Sequence, residues 1–118
     1  MLRKLGLWMG FAGLPMVLLA GECRAEGEYS LVNKEHRFEP QELTIPYGKK
    51  IKLIIDNQDV TPEEFESYEL HRERMVLGGT KGSVFIGPLK PGRYPFFGEL
   101  NKATAKGSII AVPSAEGL

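Results

Sequence analysis

Short β-favouring runs separated by turn signals, with no window that sustains a helical apolar period, limit what this chain can fold into more than any other feature of it. The runs cover residues 29–33, 43–45, 49–56, 65–70, 75–77, 83–86, 93–97 and 108–112. Pro46-Tyr47-Gly48, Asp56-Asn57-Gln58-Asp59, Gly78-Gly79 and Lys90-Pro91-Gly92 punctuate them, and such clusters end strands because Gly, Pro and Asn supply turn geometry. The pattern predicts an all-β protein in which two sheets of alternating residues bury Leu43, Ile45, Leu53, Ile55, Phe65, Val84, Ile86, Phe96 and Ile109 between them. Pro62-Glu63-Glu64 has room for a single helical turn.

Ahead of these runs the chain reads as a secretory signal peptide over residues 1–25. Arg3 and Lys4 precede an apolar run over residues 5–20, and Cys23-Arg24-Ala25 offers small residues three and one before a cut. The run is shorter than the roughly 20 residues of a spanning helix and is interrupted by Gly6, Gly10, Gly13 and Pro15. Cleavage after Ala25 is expected to leave one domain, residues 26–118, in the periplasm with no membrane span. That part lacks the chain's only Cys and only Trp, so no disulfide staples it. Without Arg3, Lys4, Arg24 and Glu22 it carries twelve Lys and Arg against fourteen Asp and Glu. This balance gives no basic patch for nucleic acid. Gly78-Gly-Thr-Lys-Gly lacks the ending of a phosphate loop, and no nucleophile–base–acid set is visible, so the sequence names no stand-alone enzyme.

Two segments carry a family resemblance. His36-Arg-Phe-Glu-Pro-Gln-Glu-Leu-Thr-Ile-Pro-Tyr-Gly resembles the opening of small cupredoxin domains. Gly87-Pro-Leu-Lys-Pro-Gly-Arg-Tyr-Pro-Phe-Phe-Gly-Glu-Leu, running on to Gly107-Ser-Ile-Ile-Ala-Val-Pro113, resembles their last hairpin. The resemblance implies a cupredoxin-like Greek-key sandwich of seven to eight strands. It also places Gly98 where those proteins have a Cys ligand and Ala105 where they have a Met, with no His between them. A blue-copper centre needs thiolate and imidazole donors, so none is expected here. Asp56-Asn-Gln-Asp-Val-Thr-Pro-Glu-Glu-Phe-Glu-Ser, with Gly87-Pro-Leu-Lys-Pro-Gly, is similar to cupredoxin-like domains of bacterial ferrous-iron uptake systems, including the Efe-type domain. That likeness implies copper or iron binding, a part in Fe(II) oxidation or handover, and an iron permease or periplasmic iron-binding protein as partner.

The same resemblance puts Glu63 or Glu64 at the position of the first copper His and brings Glu99 beside that corner. Strand alternation puts Glu64 and Glu66 on one face, and Glu63 with Phe65 on the other. The expected metal site is therefore Glu64, Glu66 and Glu99, with Glu63 as a flanking charge and His71 as a softer candidate. Crowded carboxylates repel unless a cation neutralises them; the competing reading is a solvated charge run that protects a strand edge. His71 is otherwise a surface residue, Met75 a ligand or core filler, and His36 a structural hydrogen-bonding group. Tyr94 resembles the corner tyrosine of a sandwich, its hydroxyl bonded to backbone. The reading that follows is a periplasmic metal-binding protein serving iron uptake; the alternative is a metal-free sandwich that docks on a permease or partner subunit.

Overall fold

The computed structural model describes Ala25 and residues 27–113. The expected leader, apart from Ala25, lies outside the described residues. Nine strands form: β1 (Glu28–Lys34), β2 (Arg37–Glu39), β3 (Glu42–Pro46), β4 (Ile51–Asn57), β5 (Glu63–Ser67), β6 (Arg72–Val76), β7 (Lys81–Ile86), β8 (Gly92–Gly98) and β9 (Lys106–Val112). There is no helix among the described residues. One sheet has the order β2-β1-β4-β7 and the other β3-β9-β8-β5-β6. The pairs β1–β4 and β3–β9 are parallel, and the rest are antiparallel. This is the expected all-β sandwich with one strand more than the turn pattern gave, because β2 is only three residues long.

Alternation builds the core. Along β4, Ile51, Leu53, Ile55 and Asn57 are buried while Lys52, Ile54 and Asp56 are less so, the period-two pattern of a strand with one face on the interior. Phe65, Phe96 and Ile109 meet this face from the other sheet. Phe38 of β2 packs edge-on against Phe96 at 5.4 Å between centroids, and Phe96 lies 5.3 Å from Phe65. Truncating one such ring to Ala costs about 3–5 kcal/mol. Tyr94 behaves as a corner tyrosine: its hydroxyl donates to the Lys90 carbonyl at 2.7 Å.

Three local expectations are corrected. Glu63 and Glu64 form no helical turn, because they open β5 and pair with Val76 and Met75 of β6. The run over residues 65–70 ends at Ser67, whose Oγ accepts from Leu70 N at 3.1 Å and starts the turn into β6. Met75 is not core filler; it is about half exposed.

The β1–β2 turn and the β4–β5 and β8–β9 loops meet at one end of the sandwich. Glu35 and His36 make the β1–β2 turn with φ of 54° and 59°, the left-handed pair of a two-residue hairpin loop. Neither residue prefers that conformation. Asp59, from the β4–β5 loop, offsets the strain by accepting from Glu35 N at 2.7 Å and His36 N at 2.9 Å, and Thr104 Oγ1 donates to the His36 carbonyl. The hydrogen bonds of His36 here are those of its backbone, and its imidazole Nδ1 lies 3.5 Å from Asp59 Oδ2.

Candidate metal centre

The period of β5 sorts its acids. Glu63, Phe65 and Ser67 are buried, whereas Glu64 and Glu66 are partly exposed, as alternation requires. Because β6 runs antiparallel alongside, Glu73 lies directly opposite Glu66, and Met75 opposite Glu64. One carboxylate oxygen from each of Glu64, Glu66 and Glu73 lies within 4.8 Å of the other two. Glu99 arrives from the β8–β9 loop, its N–H donating to the Glu64 carbonyl at 2.8 Å. Its carboxylate charge is felt by both Glu64 and Glu66. The Lys102 ammonium stands 3.5 Å from Glu99, at the edge of the four acids.

Partial desolvation, together with crowding, raises the pKa of two of these groups. For Glu64 the causes are partial desolvation, then a hydrogen bond and repulsion from Glu73, then repulsion from Glu66 and Glu99. For Glu66 they are partial desolvation, repulsion from Glu73 and Glu99, and a hydrogen bond with Glu99, with Lys102 pulling the other way. Carboxylates this close repel one another, and a shared proton or a cation between them relieves the repulsion. Oxygen donors clustered in this way suit hard or borderline ions, and imidazole or thioether would widen the choice toward copper. Met75 shares the face as the cross-strand neighbour of Glu64.

Of the residues singled out in the sequence, Glu64 and Glu66 fall in the mutually close group, whereas Glu99 stands beside them as a neighbouring charge without being one of its ligand atoms. Glu73 joins them and was missed: it becomes a neighbour only once the hairpin register is known, and the register depends on the turn at Tyr68–His71. His71 occupies that turn with φ of 56°. It lines a depression of about 350 Å³ together with Glu66, Ser67, Tyr68, Arg72 and Glu73, but is not one of the mutually close ligand atoms.

Glu63 points the other way, into the end of the sandwich, and is 1% exposed. Its Oε1 accepts from Glu64 N and Leu100 N, both at 2.9 Å, and its Oε2 from Asn101 Nδ2 at 2.8 Å. This is the space where the family resemblance puts a copper ion. Gly98 and Ala105 supply no donor atom there, and a Cβ on Gly98 would fall 2.5 Å from Glu63 Cδ and 2.8 Å from Ala105 Cβ. The residues present do not fit a thiolate–imidazole copper centre, because a carboxylate held by three N–H donors fills the place.

Among the described residues no helix is long and apolar enough to cross a membrane. An uncharacterised protein of Rickettsia prowazekii (strain Madrid E) is 45% identical over 83 residues, 70% of this chain and 66% of that relative, so the chain spans about two thirds of its length. Solved structures share the fold, two of them as follows. The periplasmic domain of subunit II of cytochrome oxidase of Bradyrhizobium japonicum superposes with a TM-score of 0.68 at 13% identity, covering 80% of this chain and 89% of that one. Auracyanin A, a "blue" copper protein from Chloroflexus aurantiacus, does so with a TM-score of 0.64 at 12% identity, covering 72% and 98%. The family model of the cupredoxin-like domain matches residues 8–111, a span that takes in β1 to β8 and all but the end of β9, and the chain belongs to that family.

Proposed function

We propose that this chain is a periplasmic metal-binding protein that holds a copper or iron ion on the outer face of β5 and β6, through Glu64, Glu66, Glu73 and Glu99, in the service of bacterial iron uptake. One observation carries the reading: Glu66 and Glu73 are direct cross-strand partners, with Glu64 within 4.8 Å of both. Like charges in that relation destabilise a sheet, and a cation reverses the sign. The copper-protein relatives support a transition metal as ligand. The Efe-type sequence likeness supports iron uptake as the process, with a permease or periplasmic iron-binding protein as partner.

Titration of the protein with Cu(II), Fe(II), Fe(III) and Mn(II), followed by metal analysis after gel filtration, tests binding. One tightly held ion per chain is expected for copper or iron. Failure of all four to bind above the level of a Glu66→Gln, Glu73→Gln double variant sinks the reading. Loss of the gene should also slow iron uptake under iron limitation. A metal-free docking role is favoured instead by Val60, Leu77 and Leu100, apolar and exposed by 95%, 65% and 50% on three loops of the same end.

A further inference from the structure

We propose that Glu63 is a positioning residue: the buried place where relatives of this fold hold copper has become a carboxylate anchor that delivers Glu99 to the outer face of the same strand. The inference rests on the metal-binding reading above. Its basis is the relation of two adjacent residues to one loop. Glu64 grips Glu99 through the Glu99 N–H at 2.8 Å. Glu63, facing inward, grips the next two residues through Leu100 N and Asn101 Nδ2. The loop is closed behind them by Gly98 N donating to the Ala105 carbonyl at 2.7 Å and Asn101 N donating to the Gly98 carbonyl at 3.1 Å. Glu99 is thus held on both sides by consecutive residues of β5.

A buried carboxylate is costly unless hydrogen bonds satisfy it, and here three N–H groups do. Removing it leaves those donors without a partner in a closed space, so the loop must move to find water. Gly98 is part of the device, because any side chain there occupies the volume of the Glu63 carboxyl. Glu63 does not touch the outer ion; it acts through the Leu100 backbone and the Asn101 side chain.

The test measures Cu(II) affinity for the whole protein and for a cycle of variants. Glu63→Ala should weaken binding by about tenfold or more, the range seen when groups that orient a ligand are lost. Glu63→Gln should stay within about threefold of wild type, since its oxygen can serve the two backbone N–H groups while Asn101 turns its amide to accept from the new NH₂. In the Glu63→Ala background, Glu99→Gln should add less than about twofold, because Glu99 is already misplaced, whereas independent effects would multiply. If Glu63→Ala does not fold, Asn101→Ala, which releases one side of the anchor, takes its place in the cycle. Amide exchange at Leu100 in the metal-free protein should quicken in Glu63→Ala and not in Glu63→Gln. Should Glu63→Gln lose binding as fully as Glu66→Gln, Glu63 is a ligand and the proposal is overturned. Unchanged affinity in Glu63→Ala, or full multiplication with Glu99→Gln, overturns it too. If wild type takes up no Cu(II), the metal reading fails first and this inference with it; intact wild-type binding with the wrong variant pattern fails this inference alone.

Discussion

Glu66 and Glu73 face each other across β5 and β6 in direct antiparallel register, two acids at a position where sheets ordinarily pair opposite charges or apolar groups. The arrangement costs the metal-free protein and rewards a bound cation. Glu73→Gln should therefore melt at or above the wild-type temperature without metal, and below it with saturating Cu(II) or Fe(III). A ligand at a hundredfold excess over its Kd adds about 2.7 kcal/mol to the folded state, enough to read as a melting shift. Calorimetry with and without metal decides the point, and equal metal-induced shifts in wild type and variant would remove Glu73 from the site.

The raised pKa values of Glu64 and Glu66 fix the sign of a pH effect. An acid that holds its proton more tightly when folded stabilises the fold below its unfolded value, and the contribution is lost as pH rises through the folded one. In the metal-free protein a Glu64→Gln, Glu66→Gln double variant should match wild type at about pH 4 and gain on it as pH climbs above the ordinary carboxyl value of 4.5. Metal affinity of the wild type should rise over the same window, because protons compete for the ligand oxygens. A melting series in pH steps checks the first statement and titration calorimetry in buffers of different ionisation heat checks the second. A stability difference that shrinks as pH rises contradicts the crowding argument.

Asp59 runs the opposite way. Partial desolvation pulls its pKa up, but the N–H groups of His36 and Glu35 and the charges of His36 and Lys34 bring it below the ordinary value. Its contribution is thus present above the unfolded pKa and lost as pH falls through the folded one. Asp59→Ala should cost about 1.5 kcal/mol, the lower end for hydrogen bonds to a charged group, because the Glu35 and His36 N–H groups it frees lie in an exposed turn. The loss should appear near neutral pH in urea titrations and vanish in acid. An unchanged midpoint at pH 7 would show that the left-handed turn at Glu35 and His36 holds without it.

What the sequence disclosed, and what it hid, divides by range. Period-two alternation along Glu63, Glu64, Phe65 and Glu66 is a property of consecutive residues, so the facing of these side chains is legible in the sequence itself. The place of Glu73 opposite Glu66 is not, because it depends on the turn at Tyr68–His71, which local composition makes look like continuing strand. The short β2 escapes for a related reason: Arg37, Phe38 and Glu39 are strand only because Val32 and Asn33 lie alongside. The use of Glu63 as an internal anchor is out of local reach altogether. It requires knowing that Gly98 leaves room for a carboxyl 35 positions earlier in the chain.

Gly98 and Glu63 should for that reason be coupled in stability. Gly98→Ala forces a methyl to within 2.5 Å of Glu63 Cδ and 2.8 Å of Ala105 Cβ, an overpacking expected to cost about 1–3 kcal/mol. In a Glu63→Ala background the same change meets less, so its cost should fall, and urea midpoints of the four proteins give the coupling directly. Additive costs would mean that Ala105 or the backbone, not the carboxylate, sets the limit. Gly98→Cys restores a thiol at the position where the family carries one, yet no blue colour should develop on adding Cu(II). The chain has two histidines, His36 in the β1–β2 turn and His71 in the β5–β6 turn at opposite ends of the sandwich, so the two imidazoles of such a centre cannot meet the thiolate. An intense visible absorption band in the copper-loaded Gly98→Cys protein would show instead that the carboxylate anchor gives way and that the end of this fold still opens to a metal.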